Sequence, residues 1–135
     1  MLASIDKQKE NAQCLLDAYI SVINILSSCK DTVGVSRISQ TEIAKMLGIS
    51  QTAVAKRFKN LTKFGAISKA GPRNAYIVLK TDLLNHSPIG LLYKLMTLLK
   101  EQPDIVNDYY KQAEQLNVSY KEVQVARGYL TFLIT

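Results

Sequence analysis

Between residues 39 and 65 the chain is punctuated so tightly that few backbones can satisfy it. Ser39 stands three residues before Glu42, the spacing at which a serine and a glutamate satisfy the orphan amides of a helix start. A short helix to about Leu47 is predicted from there, and Gly48 offers the left-handed conformation that ends a helix without steric cost. Ile49 turns inward, and Ser50 is a preferred N-cap for a second helix running to Phe64, closed in its turn by Gly65. Two short helices joined across a glycine-containing turn are the outcome.

The second of these helices divides by chemistry. At about 100° per residue, Phe58 and Leu61 fall within roughly 40° of Val54 and make one apolar stripe, while Thr52, Lys56, Lys59 and Lys63 gather on the opposite side. One face packs and the other carries positive charge. The charge is local: nine of the 17 Lys and Arg lie in residues 36–80, namely Arg37, Lys45, Lys56, Arg57, Lys59, Lys63, Lys69, Arg73 and Lys80. Glu42 is the only acid there, so this stretch is +8 while the other 90 residues sum to −2. A polyanion is the expected partner.

After Gly65 come two short β-prone runs, 67–69 and 75–79, around the turn residues Gly71, Pro72 and Asn74. They predict a hairpin whose tip carries Arg73, with Lys69 beside it. In this order of elements, residues 37–79 resemble a winged helix-turn-helix domain, the hairpin being the wing. The resemblance implies binding to double-stranded DNA by a bacterial, plasmid or phage regulator. Gln51, Thr52 and Lys56 lie in the first two turns, where base edges are usually reached, and Lys59 and Lys63 lie within reach of bases or phosphates. Arg57 and Asn60 on the flanks, with Lys69, suit backbone phosphates, and Arg73 with Asn74 at the hairpin tip suits a minor groove.

Upstream, residues 11–28 read as a helix with two adjoining apolar rows, Leu15, Tyr19, Val22 and Leu26 in one and Leu16, Ile20 and Ile23 in the next. That is wider than a surface helix needs. Either the helix is sunk deep in a small domain or one row packs on a second subunit, and the homodimer is the preferred reading because regulators commonly double a small footprint across a palindrome. Residues 35–38 suit a short strand beside the wing.

The C-terminal third is expected to be helical. Residues 89–102 form an apolar helix stopped by Pro103, Asp104 caps another over 105–116, and Ser119 with Glu122 starts a last helix reaching about Ile134. A shift of 69 residues aligns this region with the first motif: Ala44 on Ala113, Leu47 on Leu116, Gly48 on Asn117, Ile49 on Val118, Ser50 on Ser119, Val54 on Val123 and Leu61 on Leu130. The layout distantly resembles tandem winged-helix proteins of Gram-positive conjugative plasmids. The second copy lacks the basic face, with Val125, Gly128 and Phe132 at the positions of Lys56, Lys59 and Lys63, and Arg127 where Phe58 packs. No room follows for a second wing before Thr135. Burial of this last helix, with Val123, Val125, Tyr129, Leu130, Phe132 and Leu133 around it, either on the first domain or between subunits, is therefore expected, ahead of a second DNA surface or a site for another protein.

Other chemistry finds little footing. His86 is the single histidine, beside Pro88, with no Cys, Asp or Glu at metal-ligand spacing, and no phosphate-cradling glycine motif is present. No enzyme, metal or cofactor is expected. Cys14 and Cys29 read as reduced thiols, no secretory signal is visible, and no apolar run approaches the ~20 residues of a membrane span, so a soluble cytoplasmic protein is expected. Tyr93, Tyr109, Tyr110 and Tyr120 read as core edges or as the lining of an effector pocket.

The expectation is thus a mainly α fold with a small β-hairpin wing: a winged helix-turn-helix domain with its N-terminal helix over 1–82 and a C-terminal helical region over 83–135 for packing or dimerisation, also legible as a degenerate second helix-turn-helix. Function divides between a sequence-specific transcriptional regulator, a repressor by promoter occupancy, and an accessory protein of plasmid or phage replication or partition whose C-terminal helices recruit a protein partner. A pure protein-interaction module would need an acidic partner to match the +8 stretch.

Overall fold

A computed structural model describes residues 5–129. Its elements are α1 (Ile5–Ser28), α2 (Gln40–Leu47), α3 (Gln51–Lys63), β1 (Ile67–Lys69), β2 (Tyr76–Val78), α4 (Leu83–His86), α5 (Pro88–Glu101), a 3₁₀ turn (Pro103–Ile105), α6 (Tyr109–Leu116) and α7 (Tyr120–Gly128). The chain is mainly helical with one two-stranded antiparallel hairpin. Contacts divide it into two compact units: Asp17–Leu83, and the described residues up to Leu16 together with those from Leu84 onward. The first turns of α1 go with the C-terminal helices in this division, and Ala12 is buried among Leu92, Leu95, Met96 and Leu99.

In the Asp17–Leu83 unit, α1 supplies Tyr19, Val22, Ile23 and Leu26, all buried. They are drawn from both apolar rows, whereas Leu15 and Ile20 are half-buried. Ile43 and Ala44 of α2 and Val54, Phe58 and Leu61 of α3 complete the helical part of this core, and the Phe58 ring meets Tyr76 of β2 edge-on at 4.8 Å between centroids. Each fully buried Leu, Ile or Phe contributes roughly 1.5–3 kcal/mol, so these few side chains carry the unit.

The caps form largely as the residues demand. Ser39 and Ser50 accept from the amides of Glu42 and Ala53, both at 3.1 Å, and Gly48 at φ 67° ends α2. The first capping box is only half made: the Glu42 carboxylate takes the Ser39 hydroxyl at 3.2 Å instead of the Ser39 amide. After α3, Gly65 at φ 74° lets the Ala66 amide reach the Leu61 carbonyl at 2.9 Å and turns the chain into β1.

The hairpin pairs Ile67 with Val78, Ser68 with Ile77 and Lys69 with Tyr76. The expected strand at 35–38 shrinks to one residue, Ser36, which exchanges both backbone hydrogen bonds with Tyr76 at 2.7 and 3.0 Å. Ser36 is wholly buried, and its hydroxyl donates to the Leu26 carbonyl. Asp31 organises the preceding loop: its carboxylate accepts from the amides of Val33 and Val35, both at 3.0 Å, and pairs with Arg37 at 3.2 Å.

The second unit packs α5, α6 and α7 around Leu92, Leu95, Met96, Leu99, Ile105, Ala113, Val123 and Ala126. Here one expectation fails. Asp104 caps no α-helix; Pro103–Ile105 form a 3₁₀ turn, and Asp108 caps α6 by accepting from the Lys111 amide at 3.1 Å. Fully buried Gln112 explains the later start, since its Nε2 donates to the carbonyls of Ile105 (2.7 Å) and Val106 (3.0 Å) and holds them out of an α-helical ladder.

The 69-residue repeat is structural. The helix α6 begins and ends 69 residues after α2, and α7 begins 69 after α3. Asn117 at φ 55° replaces Gly48, the Val118 amide bonds the Ala113 carbonyl at 3.0 Å as Ile49 bonds Ala44 at 3.1 Å, and Ser119 caps α7 with a complete box to Glu122. In α7, Val123 and Ala126 are buried and Val125 is 45% exposed. Leu130, Phe132, Leu133 and Ile134 lie outside the described residues.

Candidate nucleic-acid interface

The site is built on α3. Val54, Phe58 and Leu61 point into the core at 0–4% exposure, which turns Gln51, Thr52, Lys56, Lys59 and Lys63 outward; all five are exposed. No acid occurs in α3, so nothing on the helix itself offsets its charge. The Ser50 cap leaves Gln51 and Thr52 as the first residues of the helix, the turn that enters a major groove in helix-turn-helix docking.

Two flank residues have partners within the fold. Asn60 Nδ2 donates to the Tyr19 hydroxyl at 2.6 Å, and Arg57 Nη1 reaches the Ala18 carbonyl at 3.5 Å. Both are half-buried or tied at their polar ends, and both link α3 to α1. Burial raises the Tyr19 hydroxyl above its ordinary pKa, against the opposing pull of the Asn60 hydrogen bond and the Arg57 charge. Partners 39 and 41 residues apart in sequence leave no local signal, so sequence reading could not assign these ties.

Lys69, Arg73 and Asn74 are exposed on the hairpin. The four-residue tip is closed by the Ala70 amide on the Ala75 carbonyl at 2.8 Å, and Arg73 and Asn74 both adopt left-handed backbone, φ 54° and 37°. Asparagine tolerates that region; an arginine there costs roughly 1–2 kcal/mol relative to right-handed backbone. The hairpin is anchored to α3 through the Phe58–Tyr76 ring contact.

The +8 stretch is less free than its formula suggests. Arg37 is paired with Asp31, which lies just outside it, and Lys80 donates to the Phe64 carbonyl at 3.3 Å, at the C-terminal end of α3 where a cation suits the helix dipole. Lys59 and Lys63 of α3 and Lys69 and Arg73 of the hairpin are exposed.

Residues 36–67 match the family described as winged helix-turn-helix DNA-binding. The match runs from the Ser36 bridge through α2 and α3 into β1, and the chain therefore carries a winged helix-turn-helix DNA-binding domain. No curated protein and no solved structure gives a significant match. Among the described residues, no group of three or more His, Cys, Asp or Glu is placed to hold a metal ion, and no helix is long and apolar enough to cross a membrane.

Proposed function

We propose that this protein is a sequence-specific regulator of transcription that binds double-stranded DNA as a homodimer in the cytoplasm and represses by occupying a promoter. The observation that carries the reading is the exposed, acid-free face of α3 presented by a buried Val54–Phe58–Leu61 stripe. Gln51, Thr52 and Lys56 read base edges in the major groove, while Arg57, Lys59, Asn60, Lys63 and Lys69 meet phosphates. Arg73, with Asn74, probes the minor groove. Left-handed backbone at Arg73 supports a role for its charge, since glycine would hold the same turn without strain. Half-buried Leu15 and Ile20 on α1 are the apolar surface offered to a second subunit.

Selection of duplexes from a random pool by the purified chain tests the reading. Recovery of one short palindrome is expected; a pool indistinguishable from the input would refute DNA recognition. The second reading, an accessory protein of plasmid or phage replication or partition, is supported by the second helix-turn-helix copy, which keeps the fold without the basic face and so suits recruitment of a protein. Arrays of adjacent sites bound cooperatively would favour it.

A further inference from the structure

The repeat places a different chemistry on the surface that corresponds to a DNA-binding face. In a helix-turn-helix, the start of the first helix approaches the sugar-phosphate backbone and the start of the second enters the groove. In the first copy those positions are Ser39, Gln40, Thr41 and Gln51, neutral hydrogen-bonding residues. Sixty-nine residues later they are Asp108, Tyr109, Tyr110 and Tyr120.

These residues converge. The Tyr120 ring lies 4.5 Å from Tyr110 and 5.9 Å from Tyr109 between centroids. With Asp104, Asn107 and Asp108 the three tyrosines line an open cleft of about 440 Å³. Tyr93 is not part of it; that ring lies under the Lys9 ammonium at 6.0 Å. No Lys or Arg lines the cleft, and residues 101–110 carry three carboxylates and no cation.

Aromatic faces beside carboxylates attract a planar cation. The molecule already displays the chemistry once: the Arg127 guanidinium stacks over the Tyr109 ring at 4.6 Å. Tyr110 is 73% exposed, a large apolar area to leave in water. A small molecule is normally enveloped by its pocket, and this cleft is too open for that. Tyrosine-rich open surfaces with a polar rim suit protein partners.

We infer that the Tyr109–Tyr110–Tyr120 cleft is a docking site for a protein segment presenting an arginine side chain. The guanidinium lies on the exposed ring of Tyr110, which Tyr120 backs at 4.5 Å, and the Asp104 carboxylate takes its N–H groups. Asp108 contributes charge, with one of its oxygens held by the α6 amide of Lys111. The site is independent of whether the basic unit binds DNA.

Titration of the isotope-labelled full chain with the peptide acetyl-Ser-Gly-Arg-Gly-Ser-amide, followed by NMR, tests the inference. Saturable shifts at the rings of Tyr109, Tyr110 and Tyr120 are expected, and the same peptide with citrulline, which keeps the shape and removes the charge, should bind at least severalfold more weakly. Exposed Tyr110 can be changed without touching the core, so Tyr110→Ala should keep the spectrum of the fold and weaken the peptide about two- to fivefold. Asp104→Asn should weaken it as well. Equal binding of the citrulline peptide, absence of saturable shifts at millimolar peptide, or shifts of these rings caused by a DNA duplex or by protein concentration alone would each overturn the assignment.

Discussion

Asn60 Nδ2 and the Tyr19 hydroxyl meet at 2.6 Å, joining the last turn of α3 to α1. The bond sits behind the basic face, and it fixes how the outward side chains of α3 are presented. Loss of a hydrogen bond of this kind costs about 0.5–1.5 kcal/mol, and more where the remaining partner stays buried. Asn60→Ala and Tyr19→Phe should each lower the urea midpoint without changing its slope, and the double variant should lose less than the two combined.

The same pair sets an alkaline limit. Because burial raises the folded pKa of Tyr19 above its ordinary value of 10.0, its contribution is complete below that value and is lost as pH rises through the folded pKa. Thermal melts of the parent chain should fall above about pH 10 more steeply than those of Tyr19→Phe, apart from the ionisation of other tyrosines common to both.

Asp31 sets the opposite limit. The Val35 amide, followed by the Arg37 side chain and the Val33 amide, holds its carboxyl below the ordinary value of 3.8. Stability from this loop is present above that value and is lost as pH falls below it. Asp31→Asn should flatten the acid end of the stability profile, with the first amide-exchange changes at Val33 and Val35.

Charge and readout on α3 should separate. Removing the charge of Lys59 or Lys63 should reduce the slope of log K against log salt by about 0.9 per phosphate no longer neutralised, with sequence preference kept. Replacing Gln51 or Lys56 should alter the selected sequence, at about 1–3 kcal/mol for each bidentate base interaction removed. A complex insensitive to salt would contradict the electrostatic part of the proposal.

At the hairpin tip, stability and affinity should move in opposite directions. Arg73→Gly relieves left-handed backbone at φ 54°, so the fold should be unchanged or gain up to about 1 kcal/mol, while duplex binding weakens. Calorimetry and a binding titration on the same preparation check both halves. Equal DNA affinity would remove Arg73 from the interface.

Local structure was legible because it is decided within a few residues. Ser39, Ser50, Gly48, Gly65 and Ser119 mark helix ends through hydrogen bonds no more than five positions away, and the split of α3 into Val54–Phe58–Leu61 against Lys56, Lys59 and Lys63 follows from helical geometry alone. The repeat at 69 residues was equally visible, since it too is a pattern of caps and apolar positions. These features account for the winged helix-turn-helix architecture and for the exposed part of the candidate site.

Tertiary structure alone decided what depends on partners distant in sequence. The sequence places the cap at Asp104; burial of Gln112, whose amide claims the carbonyls of Ile105 and Val106, goes with a cap at Asp108 and a later start of α6. Which residues of α1 are buried is likewise a tertiary matter: Ala12 lies in the core of Leu92, Leu95, Met96 and Leu99, Tyr19, Ile23 and Leu26 are buried, and Leu15 and Ile20 of the same apolar rows stay half-buried. Arg57 and Asn60, neighbours of the basic face by angle, are tied to Ala18 and Tyr19. Sequence carries periodicity and capping, which are properties of one segment, whereas burial and long-range hydrogen bonding are properties of pairs of segments and exist only once the chain has closed on itself.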